Sequence, residues 1–326
     1  MEKYFNLLTN ESPNENPTVY MMVGLPGSGK SYVSKELGYR VVSSDDVRAE
    51  ICNGNLDDKN NHEKVFAEIR RRIKDLLTSG QSCILDATNL SRKRRKHFIS
   101  TLPANVTKVA VLIATEIDLI LLQNASREHV VPEEAILRYY KTLSVPRKDE
   151  GWDEIRVYPH PENKKILKDY LVDCLGVAND NEHHSTPDIA THMTKSMLYA
   201  HTHYCNGADI DVVNPHNPIT PEELAAVAAL YHDIGKPVVK SRIKPNGEED
   251  TQSHYFNHAE VGAYMLCCSV SNSDIDPDVV REMVILTQHH MDPFFVKDYE
   301  ENFRNLYGEK LAKSYKILHE ADRYAH

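Results

Sequence analysis

Gly24-Leu25-Pro26-Gly27-Ser28-Gly29-Lys30-Ser31 follows an apolar run at 18–23. In that setting a Gly-rich loop closes round phosphate groups. Glycines at 24, 27 and 29 let backbone N–H groups wrap the phosphates, with Ser28 between them. Lys30 then reaches the β- and γ-phosphates, and Ser31 ligates Mg2+. The motif is a complete Walker A loop, and it predicts nucleotide binding without naming the acceptor. Asp45 comes next, at the end of YRVVSS. A carboxylate there accepts the proton of an attacking hydroxyl and orients it. Asp46 is the alternative base, or a helix cap. Arg48, three residues on, pairs with an acceptor phosphate. Asp86 ends the apolar run SCIL and holds metal or an arginine, or else caps a helix. Arg127 follows a further strand and helix, where a lid arginine neutralises a transferring phosphoryl group. The run Arg92-Lys93-Arg94-Arg95-Lys96 reads equally as the lining of a nucleic-acid groove or as a charged helix face.

A second set lies further on. His232-Asp233-Ile234-Gly235-Lys236-Pro237 puts a histidine and an aspartate side by side. His192 precedes them, and His258, His289, His290 and Asp322 follow in order. Imidazoles and carboxylates converging from several helices build one or two divalent-metal sites, which activate water and clamp phosphoryl oxygens. Without thiolates, the set does not read as a structural zinc module. Mg2+, Mn2+, Co2+, Ni2+ and Zn2+ remain open. His201 and His203 are alternatives to His192, and Lys236 either contacts a substrate phosphate or lies on the surface. His183, His184, His216 and His254 read as loop or solvent-facing residues.

These residues need two scaffolds. In the first part, strands expected at 18–23, 39–44, 82–88, 107–115 and 153–159 alternate with helices at 30–37, 60–78, after Ser91 and at 116–124. That alternation predicts an α/β fold, a largely parallel sheet flanked by helices, which with the Walker A loop makes the expected class an α/β P-loop kinase. Later the pattern turns helical, at 187–205, 221–232, 258–270, 276–290 and 309–325, with no strand, and predicts an all-α domain. The expected organisation is a flexible lead-in at 1–17, a first domain at 18–175, a linker at 176–186 and a second domain at 187–326. The 326 residues suffice for two cores. Through residue 175 the chain carries 26 Lys and Arg against 25 Asp and Glu; the rest has 12 against 23 and 13 of the 17 His. An acidic, His-rich half suits bound cations, and the net charge of −10 argues against indiscriminate nucleic-acid binding. Six scattered Cys, no secretory signal and no apolar run of membrane-spanning length lead to the expectation of a cytoplasmic protein with no membrane partner.

Taken together, GLPGSGKS, SSDDVR, LDATNLSRKRR and NASREHVVP are similar in order and spacing to the 5′-hydroxyl polynucleotide kinase domain of the phage T4 end-healing enzyme, over about 18–150. The resemblance implies ATP as donor and Mg2+ as its partner. It implies Asp45 as general base, Arg48 on the acceptor-side phosphate, Asp86 orienting arginine at the acceptor site and Arg127 as the lid arginine. The family has a further arginine four residues before the last of these, where this chain has Gln123. The second half resembles the HD phosphohydrolase superfamily, especially members with extra histidines and HDIGKP such as the HD domains of bacterial CCA-adding enzymes. That resemblance implies one metal on His192, His232, Asp233 and Asp322, and a second on His258, His289 and His290. Proteins that join the two resemble end-healing enzymes. They imply phosphorylation of nucleic-acid 5′-hydroxyl ends, RNA rather than DNA, with removal of 2′- or 3′-phosphates or a 2′,3′-cyclic phosphate, before an RNA ligase acts. In the known combination the HD domain comes first, whereas here the kinase leads. Kinases of this type can assemble as homo-oligomers. The alternative is a nucleoside or nucleotide kinase joined to an HD nucleotidase, which a closed acceptor pocket would mark.

Overall fold

The computed structural model describes residues 4–8, 16–54, 61–127, 129–180, 186–213, 218–244, 246–273 and 275–326. The expectations for 1–3, 9–15, 181–185 (with His183 and His184) and His216 lie outside these residues. The chain divides into two compact units. One comprises residues 1–139 and 146–160, the other residues 140–145 and 161–326. The segment 161–175, grouped by the sequence pattern with the first domain, clusters with the second unit.

The first unit is built on six strands: β1 (Phe5–Asn6), β2 (Thr18–Val23), β3 (Arg40–Ser43), β4 (Cys83–Asp86), β5 (Thr107–Ala114) and β6 (Glu154–Pro159). Their order in the sheet is β1-β6-β5-β2-β4-β3. All neighbours are parallel except β1, which runs antiparallel to β6. Residues 4–8 therefore do not behave as a flexible lead-in. Phe5 and Asn6 pair with Val157 and Arg156, and the next two residues, Leu7 and Leu8, are buried.

Helices α1 (Lys30–Leu37), α2 (Ser44–Ile51), α3 (His62–Thr78), α4 (Arg92–Ile99), α5 (Ile117–Ala125) and α6 (Glu133–Thr142) connect these strands. Along β2 five consecutive residues, Val19 to Val23, are buried, as expected of a strand covered on both faces. α3 lays Val65, Ile69, Ile73 and Leu77 on one buried stripe at the i, i+4 spacing of a helix. The C-terminal ends of β2, β3, β4 and β5 share one edge of the sheet, where ligands bind in open α/β folds.

The second unit is mainly helical: α7 (Leu167–Cys174), α8 (Ile189–Tyr204), α9 (Pro221–Tyr231), α10 (Lys236–Val239), α11 (His258–Ser269), α12 (Pro277–His289), α13 (Asp292–Phe295) and α14 (Tyr299–Ala325). It also holds a two-stranded antiparallel ribbon, β7 (Ser241–Ile243) with β8 (Glu249–His254), where no strand was expected. The ribbon is short and its residues are mostly polar, so it lacks the apolar alternation that marks a strand. α8, α9 and α14 pack together through small residues, with Ala200, Ala225, Ala226 and Ala321 fully buried beside Ile317. Small side chains let the helix backbones approach closely, which brings residues on three helices within reach of one point. Thr220 caps α9: its hydroxyl accepts from Glu223 N, and Glu223 accepts back from Thr220 N, a reciprocal capping box. α14 changes direction at Gly308, where φ is 84° and ψ is 175°.

Candidate functional site

The phosphate loop leaves β2 and enters α1. Gly27 and Gly29 have φ of 84° and 94°, values that L side chains avoid. A Cβ on Gly24 would stand 2.6 Å from Ser28 Oγ. The root of the loop is tied to the segment that follows β4, because Gly24 N donates to Thr88 O at 3.1 Å and Asn89 Nδ2 donates to Met22 O, at the end of β2, at 2.7 Å. A third tie is the buried Thr115 hydroxyl, which donates to Ser28 O at 2.9 Å. Thr88, Asn89 and Thr115 thus pre-form the loop, a role the sequence did not announce. Lys30 Nζ donates to Gly24 O (3.1 Å) and Leu25 O (2.8 Å). Burial pulls its ammonium down to about 8, with Arg127 acting in the same direction and Asp86 and Asp45 opposing.

Asp86 ends β4 opposite Ser43 of β3. Burial raises its carboxyl above the usual range; Lys30 opposes this, and Asp45 and Asp46 add to it. Charges on Asp45, Asp86 and Arg127 thus all act at Lys30. Asp45 is not at a strand end as expected. It lies in the first turn of α2, because Ser43 is the helix cap and accepts from Asp45 N (3.2 Å) and Asp46 N (3.3 Å). Asp46 is therefore not the cap, and both carboxylates are exposed at the positive end of a helix. Arg48 lies on α2 near His62, on which its charge and that of Arg94 both act. Gln123 Nε2 stands 3.1 Å from His160 Nε2.

The basic run on α4 divides. Arg95 is fully buried and bidentate with Glu150, at 2.7 and 2.6 Å. Its Nη1 donates to Asn89 O and Leu90 O, and Trp152 Nε1 donates to Glu150 at 3.1 Å. Arg92 pairs with Asp149. Only Lys93, Arg94 and Lys96 are exposed, so neither a five-residue groove nor a wholly solvated face describes the run.

In the second unit His192, His232, Asp233, His258, His290 and Asp322 converge, and all are buried. His192 comes from α8, His232 ends α9, His258 opens α11, His290 ends α12 and Asp322 lies on α14. Asp233 faces two groups. Its Oδ2 is 3.5 Å from His192 Nε2 and 3.3 Å from His232 Nε2, and its Oδ1 is 3.2 Å from His258 Nε2 and 3.6 Å from His290 Nε2. Asp322 Oδ1 is 3.0 Å from His192 Nε2 and 3.3 Å from His232 Nε2. Nδ1 of His232, His258 and His290 each meets the carbonyl three residues back, at 2.8, 2.7 and 2.6 Å. These bonds fix the ring and direct Nε2 into the cluster, the arrangement of a metal-ligating imidazole.

Gly235 is required here, since a Cβ would lie 2.6 Å from Gly262 N and 3.1 Å from His258 C. Lys236 is buried, not on the surface. Its Nζ is 2.6 Å from Asp233 Oδ2 and 5.3 Å from the centre of the Tyr255 ring. Asp322 is held in place by Leu311, Tyr315 and Leu318, all buried on the same helix.

The donor chemistry fits divalent cations. His232 Nε2 and Asp233 Oδ1 are buried without a hydrogen-bond partner, although each has opposite donors or acceptors close by. Asp233 and Asp322 are held well below the usual carboxylate range: burial opposes their charge, and Lys236 and His232 outweigh it at Asp233, as His232 and His192 do at Asp322. The same carboxylates outweigh burial at His232 and push its imidazole up to about 10. A cation there takes the place of that proton, so binding releases it.

His289 departs from expectation. Its Nδ1 lies 2.6 Å from Asp292 Oδ2 and its Nε2 3.2 Å from Tyr307 Oη. Adjacent helical residues diverge by about 100°, and it is His290 that turns inward. His201, half-buried, and His203, exposed, stand on α8 and contact Ala208 O and Tyr199 O respectively. His254 pairs with Asp250 at 3.0 Å. The sequence reading missed His326, whose Nε2 is 3.3 Å from Asp322 Oδ1; its spacing of four residues from Asp322 is the signal that would have found it.

Residues 19–146 match the family model of the AAA domain, and residues 190–326 match that of the HD domain. The chain therefore joins an N-terminal P-loop, kinase-like domain to a C-terminal HD domain. Solved structures with similarity include a chain of the Pnkp1/Rnl/Hen1 RNA repair complex, at 18% identity over 47% of this chain and 52% of that one, with a TM-score of 0.39. Another chain from a Pnkp1/Rnl/Hen1 complex is 22% identical over 37% of this chain and 42% of that one, with a TM-score of 0.32. A gluconokinase from Sinorhizobium meliloti 1021 is 20% identical over 44% and 85% of the two chains, with a TM-score of 0.32. This chain spans about half the length of the repair-complex chains it matches. Among the described residues, no helix is long and apolar enough to cross a membrane.

Proposed function

We propose that the chain heals broken RNA ends. Its first domain phosphorylates the 5′-hydroxyl from ATP, and its HD domain removes a 2′- or 3′-phosphate, or a 2′,3′-cyclic phosphate by opening it and then hydrolysing the remaining monoester, leaving ends that an RNA ligase can join. The observation that carries the reading is that one chain holds both a phosphate loop ringed by Asp45, Asp86 and Arg127 and a buried His/Asp centre.

In the kinase, the loop N–H groups and Lys30 hold the ATP phosphates, and Ser31 holds the accompanying Mg2+. Asp45 takes the proton of the attacking hydroxyl. Arg48 positions the phosphate next to that hydroxyl, Asp86 fixes the geometry beside Lys30, and Arg127 balances charge on the group in transfer. In the HD domain His192, His232, Asp233 and Asp322 would hold one divalent ion, and Asp233, His258 and His290 would hold a second. Such ions would supply an activated water and a clamp on phosphoryl oxygens. Lys236 orients Asp233 and offers its ammonium to the substrate phosphate.

The test is γ-phosphate transfer from ATP to a short 5′-hydroxyl RNA, the matching DNA and free nucleosides. The RNA is expected to be the best acceptor, and Asp45→Asn to lower turnover by about 10²-fold or more while ATP binding persists. Phosphorylation of free nucleosides alone would move the chain to nucleotide metabolism. Unchanged turnover in the variant would remove Asp45 as base.

A further inference from the structure

Three imidazole nitrogens converge on one carboxylate oxygen. Asp322 Oδ1 lies within 3.3 Å of Nε2 of His192, His232 and His326. The first two belong to the ordered His, His-Asp, Asp set of the HD domain. His326 does not. It stands four residues past Asp322, so the two side chains share one face of the helix. Its ring meets that of His192 edge-on, with centroids 5.2 Å apart. His192, Asp322 and His326 each bring one ligand atom within 4.8 Å of the others. The His326 side chain is 27% exposed, whereas that of His192 is 0% exposed.

Electrostatics says what this convergence is for. His232 engages its Nδ1 with Ala229 O, so in the neutral ring Nε2 presents a lone pair to Asp322. Lone pair facing lone pair at 3.3 Å repels unless a proton or a cation stands between. Neutral His192 can turn an Nε2–H toward this oxygen, but His232 cannot while its Nδ1 donates to Ala229 O. A single shared cation satisfies all of these rings.

We propose that His326 is a ligand of the ion held by His192, His232, Asp233 and Asp322, raising its imidazole donors from two to three and standing on the solvent side of the shell. The inference rests on the metal-centre reading of the HD domain. A set of three imidazoles and two carboxylates prefers transition ions to Mg2+, whose ligands are mainly oxygen.

The experiment is Co2+ titration of the full chain, read by visible d–d absorption and by competition with a chelator, for wild type, His326→Ala, His326→Gln and Asp322→Asn. Both His326 variants are expected to bind Co2+ about 10- to 100-fold more weakly, with an altered absorption band, while Mg2+ affinity changes less. Circular dichroism verifies that they remain folded. Identical affinity and band in wild type and both variants would overturn the proposal while leaving the HD centre standing. If wild type and Asp322→Asn take up Co2+ alike, the centre itself is not a metal site, and the inference falls with it.

Discussion

Gly235→Ala is a one-carbon change with a large expected effect. The added Cβ would sit 2.6 Å from Gly262 N and 3.1 Å from His258 C, and closer still to His258 O. Ordinary contact begins at 3.4 Å, and the atoms met are backbone at the start of α11, with no flexible side chain to swing aside. The segment carrying His232 and Asp233 or the one carrying His258 must move by about 1 Å, and a displacement of that size at a reacting centre costs about 10²-fold. Overpacking adds a stability loss of about 1–3 kcal/mol. The assay is metal-dependent release of phosphate from a 3′-phosphorylated RNA, with kinase activity and circular dichroism measured on the same sample. The expected result is a folded protein that retains kinase activity and loses phosphohydrolase activity by about 10²-fold. Full phosphohydrolase activity in Gly235→Ala would refute the argument that the close approach positions His258.

Other consequences concern single residues. Burial brings the Lys30 ammonium to about 8. Its protonated form is the one that attracts phosphate, so ATP affinity should fall as pH rises through about 8. Calorimetry from about pH 7 to about pH 9 should show that fall in wild type and not in Lys30→Met; a flat wild-type profile would contradict it. His289→Ala should keep the full complement of bound divalent ions and His290→Ala should lose one, by elemental analysis after dialysis, because only His290 faces Asp233 and His258. Arg95→Ala leaves the Glu150 carboxylate buried without its guanidinium, with only the Trp152 and Arg147 N–H groups donating to it, and should cost about 3–5 kcal/mol of stability. Thermal melting then separates it from Arg94→Ala, an exposed position that should change little.

Much of the architecture was legible because it rests on local patterns. The apolar run into the Walker loop, the i, i+4 stripe of α3 and the His-Asp pair at a helix end all announce themselves in sequence. What stayed hidden depends on contacts between distant residues. Phe5 and Asn6 pair with β6 over only two residues, too short a strand to show a pattern of its own before the polar stretch that follows. Arg95 looked like its basic neighbours until Glu150, 55 positions away, took its guanidinium. Asp45 was shifted from strand end to helix start by the capping preference of Ser43, a contest that propensity alone does not resolve. His289 and His290 were indistinguishable in order and differ only in the direction each takes from the end of α12. His326 escaped because it lies outside the ordered HD pattern, although the geometry of a helix turn connects it to Asp322.

The central claim is that one chain repairs both ends of a break. Its most direct measurement uses a single RNA bearing a 5′-hydroxyl and a 3′-phosphate, incubated with ATP and divalent ions and read by mass spectrometry. The account predicts product with phosphate gained at the 5′ end and lost from the 3′ end. It also predicts that Asp45→Asn blocks only the gain and Asp233→Asn only the loss. An RNA left unchanged at both ends, while free nucleosides or mononucleotides are turned over, would contradict it.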